Sequence, residues 1–433
     1  MKHYKLLAPV VLTALFAVSV YAASGSNAEI EKRYEDSLAA ARLYARQMIV
    51  VDAAASYAEA LEIRDSFELR MEVAAFYKDA GELDMAADWG QETLGAYPER
   101  AESYAYLMDI YAGAEDYTAC FRLADTMEKR RLPEDSIAGI MEGIEYSYFF
   151  QGAYEDVSVF GGGYCAVMAK GVWGFVNEEG KRVIKPRFAE VGAFRQDLAP
   201  ALDGDMKAYF IDPEGNKKRT ALGVESVVKL GMTEDGVYTL YDGEAWRLYN
   251  GENSPVTDGY DEMSSFSNGV TAAKKDGAWS VLGADGAALS PYAYDGIARD
   301  EKGVVYRNER LFALEDGGYY LIGKSGERIA ETKFEDARLF CDATYAAVRS
   351  GGKWGFIDSG GEYVVKPEYD GARSFSNGLA AVKIDGKWGF IDEENRLVIE
   401  NIFEDAKDFN GRGGVFVRSG GDWELLRLYK FNH

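Results

Sequence analysis

One aromatic residue recurs at nearly constant spacing through the latter part of the chain: Trp173, Tyr209, Trp246, Trp279, Tyr320, Trp354, Trp388 and Trp423, separated by 36, 37, 33, 41, 34, 34 and 35 residues. A unit this short cannot bury its own apolar face, so each copy must stack on its neighbours. That confines the chain to repeat architectures. Three copies keep the full phrase, at "GVWGFVNEEGKRVIKP", "GKWGFIDSGGEYVVKP" and "GKWGFIDEENRLVIEN". Degenerate copies fill the gaps, among them "MKAYFIDPEGNKK", "GAWSVLGADGAAL" and "GDWELLRLYKF", and the aligned aromatics count eight units.

The clearest unit, "YDGARSFSNGLAAVKIDGKWGFIDEENRLVIE", resolves into elements. "GLAAVKI" is predicted as a strand, Asp385-Gly386 as a two-residue hairpin turn, "KWGFID" as the returning strand and "RLVIE" as a third. Trp388 and Phe390 then share one face, and Gly389 lies on the other, where a neighbouring backbone or ring can approach. Ahead of the aromatics stands an apolar residue repeated at i, i+3 and i+6, such as Tyr369, Ala372 and Phe375, or Phe403, Ala406 and Phe409, with one copy, Tyr294 and Ile297, broken at Asp300. That spacing predicts about two turns of tight helix packed on one face. Trp173, Trp246, Trp279, Trp354, Trp388 and Trp423 are read as structural, filling the space between units, with an aromatic ligand ladder as the rival reading.

From residue 29 to residue 152 the texture is helical, rich in Ala, Glu, Leu and Met. "EVAAFYKDAGELDMAADW" and "AYLMDIYAGAEDYTACFRL" superpose with Tyr77 on Tyr111 and Ala86 on Cys120, each 34 apart. Pro98 and Pro133 stand where second helices should stop. A helix, short turn and helix at that period resemble a tetratricopeptide array of about three units, which implies a concave surface with Arg70, Lys78, Tyr104 and Asp109 as exposed contact candidates.

The phrase "KWGFID...VVKP.YD.A..FSNGLAAVK" resembles the WG-repeat family of bacteria, over residues 154–433. The resemblance implies an all-β repeat domain, commonly regarded as propeller-like, and no established enzymatic activity. The expected fold is therefore α + β and multidomain: a tetratricopeptide-like helical array at 29–152, then an all-β WG-repeat domain at 154–433 that closes into a propeller of eight units, or else forms an open β-solenoid.

The N-terminus runs from Lys2 and Lys5 through an apolar stretch, Leu6 to Ala23, into polar "SGSNAEIEKR". That order predicts either a signal peptide cut after Ala22 or an uncleaved membrane anchor over residues 6–23, since eighteen residues of helix reach about 27 Å. Both place the body outside the cytoplasm, secreted or tethered.

Several function classes are excluded by composition. With 48 Lys plus Arg against 72 Asp plus Glu, the net charge of -24 argues against nucleic acid as a partner. The two histidines, His3 and His433, stand near the two ends, so no Ser-His-Asp or Cys-His pair and no histidine metal site is expected in the body. Cys120, Cys165 and Cys341 are too few and too far apart for a disulfide framework and read as small core residues. Gly161-Gly162-Gly163 reads as a turn rather than a nucleotide cradle. No catalytic residue, metal or cofactor is expected. The leading expectation is a non-enzymatic interaction scaffold whose partner is another envelope or extracellular protein. A cell-wall or glycan binder is the alternative, because "EDGGYYLIGKSGE" resembles the aromatic repeats of choline-binding modules. A carboxylate-based glycan-active enzyme is the least favoured.

Overall fold

The computed structural model describes residues 27–204, 207–220, 225–291, 293–341 and 345–432; the apolar leader at 1–23 lies outside the described residues. Among the described residues no helix is long and apolar enough to cross a membrane. The chain divides into two compact units between Ser147 and Tyr148.

The first unit is helical: α1 (Asn27–Arg46), α2 (Val50–Ile63), α3 (Phe67–Asp79), α4 (Leu83–Ala96), α5 (Ala101–Gly113), α6 (Tyr117–Arg130) and the short α7 (Ala138–Ile144). Helices α3 and α5 begin 34 residues apart, as do α4 and α6. Local chemistry sets the boundaries. Ser66 caps α3 by accepting from Leu69 N–H, Asp116 caps α6 by accepting from Ala119 N–H, and Gly81, at φ +79°, turns the chain out of α3. Small residues let the hairpins close: Ala86 is fully buried, and a Cβ on Gly90 would stand 2.7 Å from Leu107 Cδ2. Of the expected contact residues, Tyr104 is not exposed; it is 1% accessible and its hydroxyl donates to the Pro98 carbonyl at 3.0 Å. Lys78 pairs with Asp109, and Arg70 with Asp65 at 2.6 Å, so all four make contacts within the unit itself.

The second unit is all β. Its described residues form eight antiparallel sheets in chain order, each beginning near one copy of the repeat. The seventh shows the pattern: Gly371–Ala372, Leu379–Ile384, Lys387–Asp392 and Leu397–Phe403, hydrogen-bonded in that order. Asp385 and Gly386 join the middle strands at φ +50° and +82°, the two left-handed residues that a tight hairpin with right-handed twist requires. Buried clusters lie between successive sheets. Trp354, Phe356 and Tyr369 of the sixth pack with Ala372, Phe375 and Val382 of the seventh.

The expected tight helix at the i, i+3, i+6 landmark is not formed. Tyr369 ends the last strand of the sixth sheet, Ala372 lies in the two-residue first strand of the seventh, and Phe375 follows in a loop. The three-residue spacing arises because the chain passes from one sheet to the next at Asp370, which resets the period-2 alternation. Among the described residues a short 3-10 turn, Val227–Lys229, occupies this place in the third sheet alone.

The ring of sheets closes. Tyr148–Tyr154 pairs antiparallel with Asp422–Leu428, from Tyr148 opposite Leu428 to Tyr154 opposite Trp423, so the eighth sheet takes its outer strand from ahead of the first. The β unit is a propeller, which removes the open solenoid, and it begins at Tyr148 rather than Tyr154. The closing strand, "YFFQGAY", directly follows a helix, carries no repeat phrase and finds its partner at the far end of the chain, so no local pattern marks it.

The Trp-Gly pair has a mechanical explanation. In the first, sixth and seventh sheets the outer strand skips register opposite the glycine: Trp388 faces Phe403 and Phe390 faces Ile399, leaving Glu400, Asn401 and Ile402 to bulge across from Gly389 alone. A Cβ on Gly389 would lie 2.7 Å from Asn401 N and Ile399 O; on Gly174 and Gly355 it would meet backbone at 2.5 Å. Pro186 and Pro367 occupy the middle of the corresponding bulges, where no ladder N–H is needed. Where the glycine is replaced by Arg247, Ser280 or Leu321, the outer segment forms no named strand and meets its sheet through isolated bridges and single hydrogen bonds.

Candidate functional site

In seven of the eight sheets a two-residue first strand leads into a loop, and six of these loops, with Met232 of the third sheet, line one central pocket of about 340 Å³. Hydrogen bonds between the loops hold its wall. Lys302 Nζ, after the first strand of the fifth sheet, donates to the Phe160 carbonyl of the first at 3.0 Å. Asn410 Nδ2 of the eighth donates to the Glu178 carbonyl of the first at 3.0 Å, and Ser376 of the seventh to the Phe409 carbonyl of the eighth at 2.7 Å. Gly161-Gly162-Gly163 forms a turn, as read from the sequence, with Gly162 and Gly163 at φ +56° and +84°, and that turn is part of the pocket wall.

The lining is rich in cations: Arg195, Arg299, Lys302, Arg307, Arg338 and Arg373. Its carboxylates are Glu178, Asp300, Glu301 and Asp408. Four of the six cations are paired, within the lining or with a carboxylate beside it. Asp300 accepts from Arg307 at 2.9 Å, Arg195 pairs with Glu234 at 2.6 Å, and Arg299 stands 3.5 Å from Glu262. Glu301 receives Arg373 at 2.7 Å and Lys407 at 2.8 Å. Burial would raise the Glu301 pKa, but those two cations overcome it and hold the group at about 2.

Two lining cations are left over. Among the described residues Lys302 Nζ donates to the neutral Phe160 carbonyl, and neither it nor Arg338 has a carboxylate within ion-pair distance. Burial depresses the pKa of both, and a neighbouring guanidinium adds to it, Arg307 beside Lys302 and Arg373 beside Arg338, against the weaker opposing pull of Asp300 and Asp408 on Lys302 and of Asp408, Asp336 and Glu301 on Arg338. Three polar atoms of the lining are also buried without a hydrogen bond, the donors Arg195 Nε and Arg373 Nε and the acceptor Asp408 Oδ1, whose nearest cation is Arg373 Nη1 at 3.9 Å. Cys341 donates weakly to the other Asp408 oxygen at 3.6 Å; burial, then Asp408, push its thiol pKa well up, so it stays protonated.

The repeat tryptophans reach the site indirectly. Trp279, Trp354 and Trp423 are buried, and Trp173, Trp246 and Trp388 are half-buried. Arg299 stacks 4.5 Å from the Trp279 ring centroid, Arg338 lies 5.4 Å from that of Trp354, and Lys407 5.2 Å from that of Trp423, so three rings back cations at or beside the pocket. These cations were missed from sequence although a signal exists. Arg338, Arg373 and Lys407 follow Ala337, Ala372 and Ala406 directly, one repeat position in three consecutive units. Among the described residues no group of three or more His, Cys, Asp or Glu could hold a metal ion.

Comparison with known proteins follows from this geometry. The family model for the WG containing repeat matches residues 173–205, 246–279, 354–388 and 388–423. No curated protein matches the chain. Among solved structures, the chain is similar to one described as the eukaryotic initiation factor, at 12% identity and a TM-score of 0.43, covering 66% of this chain and 86% of that one. It is also similar to Hsv2 of Kluyveromyces lactis, at 11% identity and a TM-score of 0.36 over 64% and 98% of the two chains. The WD40 beta propeller domain of Doa1 gives 12% identity and a TM-score of 0.33 over 65% and 97%. The chain thus carries repeats that match the WG containing repeat, set in a β-propeller that follows a helical unit.

Proposed function

We propose that this protein is a non-enzymatic interaction scaffold that works outside the cytoplasm, holding a partner protein of the envelope through its repeat surfaces. The observation that supports the reading is the pairing in one chain of two repeat units, helical hairpins at a 34-residue period and a closed ring of sheets, each an architecture that offers extended binding surface. On this reading each sheet is one blade of an eight-bladed propeller, the helical hairpins act as a tetratricopeptide-like array, and residues 1–23 direct export or tether the chain. The apolar side chains around the α1–α2 turn suit a protein contact: Met48 is 56% exposed and Val51 76%. Co-purification from envelope fractions with the full chain tests it. The partner should be lost in Val51→Asp, whose exposed site leaves folding intact. Retention of the partner in that variant moves the contact to the propeller, and no specific partner from either unit removes the scaffold reading. Protease added outside spheroplasts should digest the body; protection until lysis would overturn export.

A further inference from the structure

We infer that the central pocket of the propeller binds a small solute through a carboxylate or phosphate group, held by Lys302 and Arg338, with the Arg373 Nε and Asp408 Oδ1 positions engaging the same ligand. The inference goes beyond the scaffold reading and stands without it.

Three observations carry it. First, the charge of the pocket runs against that of the chain. The protein bears a net charge of -24, yet the six lining cations outnumber the four lining carboxylates, and among the described residues Lys302 and Arg338 have no carboxylate within ion-pair distance, only the more distant fields of Asp300, Asp408 and Glu301. A cation taken out of bulk water without a counter-charge is costly, and an anion seated between the two removes that cost. Second, the cations form a built wall. Arg338, Arg373 and Lys407 occupy one repeat position in the sixth, seventh and eighth sheets, and Glu301 serves the latter two while Arg338 has no such partner. Third, Arg373, only 8% exposed, keeps a buried Nε–H with nothing to accept it, and the buried Asp408 Oδ1 has no hydrogen-bond donor, its nearest cation, Arg373 Nη1, standing 3.9 Å away. An oxyanion beside a hydroxyl or amine would supply an acceptor and a donor together.

Size and field narrow the class. About 340 Å³ suits a metabolite-sized molecule. A polyanion is repelled by the acidic exterior, whereas a small anion is drawn into a locally positive cavity.

The test uses the full-length protein, titrated calorimetrically with citrate and with inorganic phosphate against sodium chloride at matched ionic strength. One saturable site is expected for citrate or phosphate, and whichever binds identifies the oxyanion class. Arg338→Gln should weaken that binding by about tenfold or more, the loss of one charge-assisted bond, and its melting temperature without ligand should not fall, because an uncompensated cation has been removed. Lys302→Gln provides an independent second reading with the same expected loss. Arg328→Gln, a paired residue outside the pocket, should bind as wild type. Absence of a saturable site for both anions, equal binding in Arg338→Gln and wild type, or equal weakening in Arg328→Gln overturns the inference.

Discussion

Gly389 shows how little freedom a repeat residue can have. Its place opposite a three-residue bulge leaves no room for a Cβ, and the atoms in the way are backbone. Gly389→Ala should therefore cost about 1–3 kcal/mol, as overpacking against an unyielding neighbour does. Gly95, at the end of α4 with open space around it, provides the contrast; there the alanine variant should stabilise by about 0.5–1 kcal/mol. Denaturant unfolding of both reads the difference. The tryptophans grade by burial. Trp354→Ala, at 8% exposure, should cost about 3–5 kcal/mol and half-buried Trp388→Ala less. Glu301 provides a pH test. Its folded pKa of about 2 lies below the unfolded value of 4.5, so its contribution is full above 4.5 and vanishes as pH falls through 2. Glu301→Gln should be less stable than wild type at pH 7, with the gap closing between pH 5 and 2. A gap independent of pH would mean that the ion pairs with Arg373 and Lys407 contribute nothing.

Among the elements, the closing strand has the largest consequence for its length. Tyr148–Tyr154 supplies the outer edge of the eighth sheet, and without it Asp422–Leu428 presents an unpaired edge. Ladder N–H groups alternate in direction along a strand, so introducing Phe149→Pro and Phe150→Pro together removes one that points at the partner whichever way the strand faces. A loss of roughly 3 kcal/mol or more is expected, with new protease cleavage within Asp405–Leu428. Unchanged stability and cleavage would show that the ring does not depend on this pairing. The outer strands behave by the same logic inside the ring. Those that keep Gly pair as strands on both sides of the bulge, while Ser280, in a three-stranded sheet, reaches its outer segment by donating its hydroxyl to the Ser290 carbonyl at 2.7 Å.

For the molecule as a whole, the division between Ser147 and Tyr148 leads to a direct expectation. Residues 148–432 expressed alone should give a β-type circular dichroism spectrum and one cooperative thermal transition, because apolar clusters are shared between sheets around a ring with no natural place to break. A fragment beginning at Tyr154, without the closing strand, should melt lower. Equal melting of the two fragments, or stepwise loss of sheets, would count against a closed cooperative ring.

The order of elements was legible in the sequence, because a hairpin such as Leu379–Asp392 declares itself through alternation and an Asp-Gly turn, and the 34-residue period of the helices through recurring aromatic and small residues. These are local signals, set by backbone geometry within one unit. The sequence reading also put Gly389 on the face that another backbone approaches. What it missed depends on residues far apart in the chain. The tight helix assigned to Tyr369, Ala372 and Phe375 was wrong because a step between two sheets imitates a three-residue period. Tyr104 was expected at the surface because a helical pattern does not say which neighbour covers a side chain. The strand at Tyr148–Tyr154 and the pocket at Glu301, Arg338 and Arg373 are assembled only when the ring closes, since closure brings the loops of distant repeats to one centre and turns charges that are ordinary along the chain into neighbours that must be paired or left uncompensated.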